Sequence, residues 1–196
     1  GYHLIPSILP PHCDVAFGTF QPRHDPEGAY DLVIVGIGNS LFGPLLTDDL
    51  QRLVEGVPHS IGIFGTQYRD TLPADRLHRL LGALTRWYAR YEEDIYLYGA
   101  GCPNVQHLGD WLTLLCPMGT PSLERELVIP AEIIARELPL DRVIQEIQQY
   151  ARVRSARIHP LLVALHSARV VSYEEQREGG DGQVSGKFRS LLLDVF

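Results

Sequence analysis

Lysine is nearly absent from this chain, and no block of basic residues occurs anywhere in it. Neutralising nucleic-acid phosphates needs clustered Lys and Arg. With a net charge of -7, the sequence therefore predicts no nucleic-acid partner. Long apolar runs are missing too; none approaches the roughly 18 residues of a membrane span. Cysteine is sparse and odd in number: Cys13, Cys102 and Cys116. That count does not suggest a disulfide framework and points to a reducing, cytoplasmic setting. The first residues, Gly1-Tyr2-His3-Leu4-Ile5-Pro6, lack the charged start and apolar core of a secretory leader.

What remains is ordinary for a globular α/β protein, with 45% hydrophobic and 21% charged residues over 196 positions. Residues 1–30 carry Pro6, Pro10, Pro11, Pro22 and Pro26 and read as an extension packed on the domain, with one short strand at 15–20. Residues 31–196 read as a single α/β domain with possible sub-lobes at 31–118 and 119–196. Apolar runs at 31–35, 60–64 and 94–98 each close on a glycine, as buried parallel strands do. Thr47-Asp48-Asp49 opens a helix ending near Gly56, with Thr47 as cap and two acids on the positive end of the dipole. Helices are predicted over 73–91, 140–153 and 188–196, and further strands at 105–108, 127–130 and 169–173. This alternation predicts a Rossmann-like, doubly wound, mostly parallel sheet. Ligands of such sheets sit beyond the carboxyl ends of the strands, the edge marked by Gly36, Gly38, Gly65 and Gly99. The polar stretch 174–186, with Gly179-Gly180-Asp181-Gly182, reads as a mobile loop beside that edge.

The stretch Ser155-Ala156-Arg157-Ile158-His159-Pro160 stands just before an apolar helix. Pro160 suits a first helical position, where a missing N–H costs nothing. The free amides of that turn, the fixed charge of Arg157 and the titratable His159 make an anion pocket from three independent sources. Carboxylates and phosphates are its natural occupants. Other chemistry has less support. In Gly36-Ile37-Gly38-Asn39-Ser40-Leu41-Phe42-Gly43 the third glycine comes two positions late for a dinucleotide fingerprint. Cys102, His107 and Cys116 lack the close pairing that metal sites favour, so no metal and no resident cofactor is expected. Ser40 is not in a G-x-S-x-G elbow.

Arg157-Ile158-His159, the strand 169–173 and Gly186-Lys187 together resemble the C-terminal signature of the polysaccharide pyruvyl transferases. Asp31-Leu32-Val33-Ile34-Val35-Gly36-Ile37-Gly38-Asn39 resembles that family's glycine-rich strand end, and His107-Leu108-Gly109-Asp110 its Gly-Asp element. The resemblance runs loosely from Asp31 to Phe196. It departs at Trp111, where the family tends to have proline, and in the short segment 110–157. It implies Rossmann-like lobes related to the GT-B glycosyltransferases, with phosphoenolpyruvate as donor and a sugar of a surface polysaccharide as acceptor. Arg157 would hold the donor's carboxylate or phosphate and His159 would be the general acid. Asp110, Gly36, Gly38, Asn39 and Ser40 would line the sugar side, and Lys187 would meet a phosphate. By its own chemistry Asp110 is a candidate catalytic residue that positions a substrate or acts as a base, and it reads equally as a helix cap for the segment that follows it. Two alternatives stand beside this reading: a GT-B-like glycosyltransferase using a nucleotide sugar, and a non-catalytic domain that binds a sugar or a partner chain. A homodimer completing a site between two copies is a further expectation.

Overall fold

Leu-Val-Ile-Val-Gly at Leu32–Gly36 forms the first main strand, β1, of a computed structural model that describes residues 9–20, 23–24, 28–38, 40–110, 112–131, 139–178 and 182–195. The chain divides into two compact units, one of Gly1–Thr66 with Asp70–His107, the other of Gln67–Arg69 with Leu108–Phe196.

In the first unit β1 is followed by helix α1 (Asp48–Glu55), strand β2 (His59–Phe64), helix α2 (Ala74–Ala83), strand β3 (Arg86–Ala89), helix α3 (Glu92–Tyr98) and strand β4 (Val105–His107). The four strands pair in parallel, in chain order. Thr47 caps α1 as its sequence indicates: its hydroxyl accepts from the Leu50 amide at 3.1 Å. Leu50 and Val54 of α1, Leu77, Leu80 and Leu81 of α2, and Phe64, Trp87 and Ala89 of the sheet close one apolar core.

Two expectations for this unit are corrected. The helix predicted over 73–91 stops at Ala83, because Leu84 turns extended and Arg86–Ala89 pairs on both sides, with Ile61–Phe64 and with Val105–His107. The 3–4 spacing of Leu84, Trp87 and Tyr88 fitted a helix, but burial alternates through Arg86–Ala89, with Trp87 and Ala89 inside. The run at 94–98 is not a strand; it lies in α3, whose first turn holds Glu92, Glu93 and Asp94 against the positive helix end. Gly99 therefore caps a helix and marks no strand edge.

Gly65 does mark one, and its packing explains the residue. A Cβ there would meet Tyr91 ring carbons at 2.4 and 2.6 Å. The Tyr91 ring is fully buried and its phenol contacts the Ser40 hydroxyl at 3.1 Å, so it has no free direction in which to move. Gly65→Ala is expected to destabilise the protein by about 1–3 kcal/mol, the usual scale of overpacking. Urea unfolding followed by circular dichroism measures it; a change below the error of the fit would contradict this packing.

In the second unit helix α4 (Leu112–Leu115) precedes strand β5 (Leu123–Ile129), helix α5 (Leu140–Gln148), strand β6 (Tyr150–Ser155), helix α6 (Ile158–Leu165), strand β7 (Val170–Tyr173) and helix α7 (Lys187–Val195). Strands β5, β6 and β7 are parallel and again in chain order. The helix predicted over 140–153 ends at Gln148, and Tyr150–Ser155 is the central strand, with Ala151, Val153 and Ser155 inward. Ile144, Ile147, Val153, Val163 and Ala164 form this unit's core with Leu112 and Cys116.

The expected α/β class with parallel strands is present, as two sheets. Neither reverses its strand order, so among the described strands there is no crevice of the kind a doubly wound sheet opens at its reversal. In the N-terminal segment, the strand expected at 15–20 is reduced to Thr19–Phe20, which pairs with Arg23–His24. No helix among the described residues is long and apolar enough to cross a membrane.

Two of the cysteines are core residues. Burial pushes the thiols of Cys102 and Cys116 up, away from the reactive thiolate, whereas Cys13 is exposed. Iodoacetamide is expected to modify native protein at Cys13 first and all three positions in denaturant, as intact mass would show. Equal rates at Cys13 and Cys102 would contradict the burial.

Candidate functional site

The carboxyl end of β6 is where the Arg-x-His stretch takes its shape. Ser155 is fully buried, and its hydroxyl accepts from the Arg157 amide at 3.0 Å and donates to the Arg157 carbonyl at 2.7 Å. This local ring turns the chain from strand to helix within two residues. Arg157 is the extended N-cap of α6, and no side chain caps the helix. Ile158 anchors the first turn in the core, at 3% exposed. Pro160 sits third in α6, not first, but its missing N–H still falls among the amides that have no intrahelical acceptor. Arg157 is half-buried, and among the described residues its guanidinium has no hydrogen-bond or ion-pair partner.

His159 lies one position further on, with its side chain 41% exposed. Its Nε2 is 3.4 Å from Oδ2 of Asp110, whose side chain is entirely buried. The other Asp110 oxygen, Oδ1, accepts from the Leu112 amide at 3.1 Å, and the Asp110 carbonyl accepts from the Thr113 hydroxyl at 2.8 Å. One oxygen of Asp110 thus caps the first turn of α4 and the other lies beside His159.

The stretch 174–186 was expected as a mobile loop. Its described ends are instead tied down. Arg177–Glu178 and Gln183–Val184 form an antiparallel ladder. The Gln176 side-chain Nε2 donates to the Ala156 carbonyl at 2.8 Å, beside the Arg157 turn. The Ser185 hydroxyl donates to Glu175 at 2.5 Å, and the Ser185 carbonyl accepts from the Tyr68 amide at 3.1 Å. Gly186 takes a left-handed φ of 75°, which lets the chain enter α7 at once. Lys187 follows at 1% exposed, its ammonium donating to Oε1 of Gln176. The same ammonium lies 5.7 Å from the ring centre of Phe188. Arg69 donates to the Ser190 hydroxyl on α7 at 2.9 Å.

The second unit therefore brings four of the sequence-selected residues to one neighbourhood: Asp110 and His159 in contact, Arg157 at the same helix start, and Lys187 through Gln176 and Ala156. Gln176 was not anticipated. Its only signal was its place in a polar run, and a lone Gln there has no pattern to set it apart.

Gly36, Gly38 and Ser40 belong to the first unit, at the carboxyl end of β1; Asn39 lies outside the described residues. Ser40 is fully buried in a left-handed conformation, φ 70°, unusual for serine. Arg90, just past β3, holds the turn there: it donates to the carbonyls of Ile37 at 3.1 Å and Gly38 at 3.0 Å and to the Ser40 hydroxyl at 3.3 Å. Tyr91 completes the clamp, its phenol pushed up by burial and so kept neutral. Thr66 donates its amide and hydroxyl to the buried Asp94 at 3.0 and 2.5 Å. Ser40, which the sequence places among the candidate ligand contacts, is thus held inside the turn by Arg90 and Tyr91. Gly36 is different: a Cβ there would meet nothing within 4 Å, so packing does not explain the glycine. Arg90 and Tyr91 went unnoticed because they fell inside the mistaken long helix.

The three cysteines and His107 do not converge; Cys102 is in the first core and Cys116 in the second. Among the described residues no group of three or more His, Cys, Asp or Glu is placed to hold a metal ion. No family model, curated protein or solved structure matches the chain.

Proposed function

We propose that this chain is a pyruvyl transferase-like protein whose second unit binds phosphoenolpyruvate at the start of α6. The observation that supports this most is the meeting of Arg157, His159 and Asp110 at one helix start, with the guanidinium unpartnered among the described residues. A planar guanidinium recognises a carboxylate or phosphate in two parallel hydrogen bonds, and the first-turn amides add the positive end of the helix dipole. An imidazole is suited to give a proton near neutral pH.

The reaction this reading assigns is ketal formation. His159 gives a proton to the methylene carbon of the enol, which becomes a methyl group. One sugar hydroxyl adds to the central carbon, a second displaces phosphate from it, and inorganic phosphate leaves. The two hydroxyl protons go to the departing phosphate and back to the histidine. Lys187, joined to the Arg157 turn through Gln176, would supply a fixed cation for the leaving phosphate. A cytoplasmic setting, with a sugar of a surface polysaccharide as acceptor, belongs to the same proposal.

A thermal-shift screen tests the donor class. Phosphoenolpyruvate is expected to raise the midpoint more than UDP or GDP at equal concentration. Preference for a nucleoside diphosphate would replace the reading with a nucleotide-sugar transferase, whose diphosphate the same helix start would hold. No shift with any of them would favour a non-catalytic domain.

A further inference from the structure

We infer that Asp110 is a positioning residue that fixes the tautomer of His159, so that Nδ1 is the nitrogen that exchanges protons with a ligand. The inference rests on geometry alone. Oδ2 of Asp110 is 3.4 Å from Nε2, an ion-pair contact and not an aligned hydrogen bond, and the carboxyl group is held in place from its other side by the Leu112 amide. A carboxylate oxygen facing an imidazole nitrogen repels its lone pair and attracts its proton. The neutral ring therefore carries hydrogen on Nε2, the nitrogen nearer the carboxylate. Nδ1 is left with its lone pair directed away from the carboxylate, on a side chain that is 41% exposed. When the ring takes a second proton, that proton sits on Nδ1. The proton given up in a reaction is then the one on Nδ1, and the pair returns to its starting tautomer. The catalytic consequence rests on the proposed pyruvyl transfer; the tautomer does not.

The discriminating variant is Asp110→Asn. Asparagine is as good a helix cap as aspartate, and its carbonyl can take over the bond from the Leu112 amide. Its NH2 group then faces Nε2, which must accept, and the ring proton moves to Nδ1. Long-range proton–nitrogen correlation spectra of the ¹⁵N-histidine protein report the tautomer directly, with the His159 signals identified by their loss in His159→Gln. The expected result is hydrogen on Nε2 in the wild type and on Nδ1 in Asp110→Asn. Hydrogen on Nδ1 in the wild type, or the same tautomer in both proteins, would overturn the inference. The wild-type spectrum alone decides the first point if the variant does not fold. A residue serving only as helix cap would leave the tautomer unmoved.

Turnover gives the second readout. In serine proteases the equivalent change, which also reverses a catalytic imidazole, lowers kcat by about 10⁴. A large fall in kcat with phosphoenolpyruvate affinity retained is expected for Asp110→Asn; a fall in affinity with kcat retained would contradict a positioning role. The spectra need no ligand, so a wrong tautomer and a wrong donor would be told apart.

Discussion

Replacing Trp87 with alanine is expected to lower the stability of the protein by about 3–5 kcal/mol, the range for deleting a buried aromatic side chain. Trp87 is fully buried in the third strand of the first unit. Its ring packs against Phe64, with centroids 5.8 Å apart, and against Tyr98 at 6.5 Å. Its indole N–H donates to the Phe64 carbonyl at 3.0 Å. Alanine would remove the apolar contacts, leave a cavity beside Phe64 and Tyr98, and strand that carbonyl without its side-chain donor. Leu84 and Phe64 already crowd the space around Gly62, where a Cβ would come within 2.8 and 2.7 Å of them. Neighbours this tightly packed can collapse only partly into the hole. Trp87→Phe keeps most of the volume and loses the hydrogen bond, so a smaller loss of about 1–2 kcal/mol is expected. Guanidinium unfolding of the two variants separates the terms. A loss below about 1 kcal/mol for Trp87→Ala would contradict a core built around β3.

Replacing Arg157 with alanine is expected to weaken phosphoenolpyruvate binding by roughly 10- to 100-fold, since a hydrogen bond to a charged group contributes about 1.5–3 kcal/mol. The fold should be unaffected. Arg157 is half-buried, its guanidinium has no hydrogen-bond or ion-pair partner among the described residues, and the turn it occupies is held by the Ser155 hydroxyl through main-chain atoms that alanine retains. Arg157→Lys should recover part of the affinity, because a point charge replaces a bidentate fork. Calorimetric titration of the three proteins gives the ratios. Equal affinity in wild type and Arg157→Ala would remove the guanidinium from the site, and with it the proposed donor pocket.

Much of the fold is legible where one local signal dominates. Thr47-Asp48-Asp49 states its helix start in side-chain chemistry alone, and the apolar runs ending at Gly36 and Gly65 are strands that pair in parallel with each other. The failures share one cause. In 73–91 and in 140–153 a helix passes into a strand within two residues, and the apolar spacing does not change at the join. Arg86–Ala89 and Tyr150–Ser155 become strands because neighbours on both sides pair with them, and that information lies far away in the chain. Misplacing the third strand also misplaced the edge, so Arg90 and Tyr91 were hidden and Gly99 was credited with a role it does not have.

The candidate site was legible to the extent that its residues carry distinctive chemistry in short motifs. Arg157, His159 and Asp110 were selected this way, and the second unit brings them together. The sequence could not show that Asp110 meets His159 through the oxygen left over from its helix cap. Nor could it show that Lys187, expected at a phosphate, is buried against Gln176. Both depend on how α4 and α7 pack beside α6.

The most direct measurement is residue-resolved: amide spectra of the ¹⁵N-labelled protein during titration with phosphoenolpyruvate. The largest shifts are expected at Arg157, Ile158 and His159, with a smaller set at Gln176 and Lys187, and saturation at one equivalent site. Unchanged spectra, or shifts concentrated instead at Gly36, Gly38 and Ser40, would contradict the assignment of the donor pocket to the start of α6.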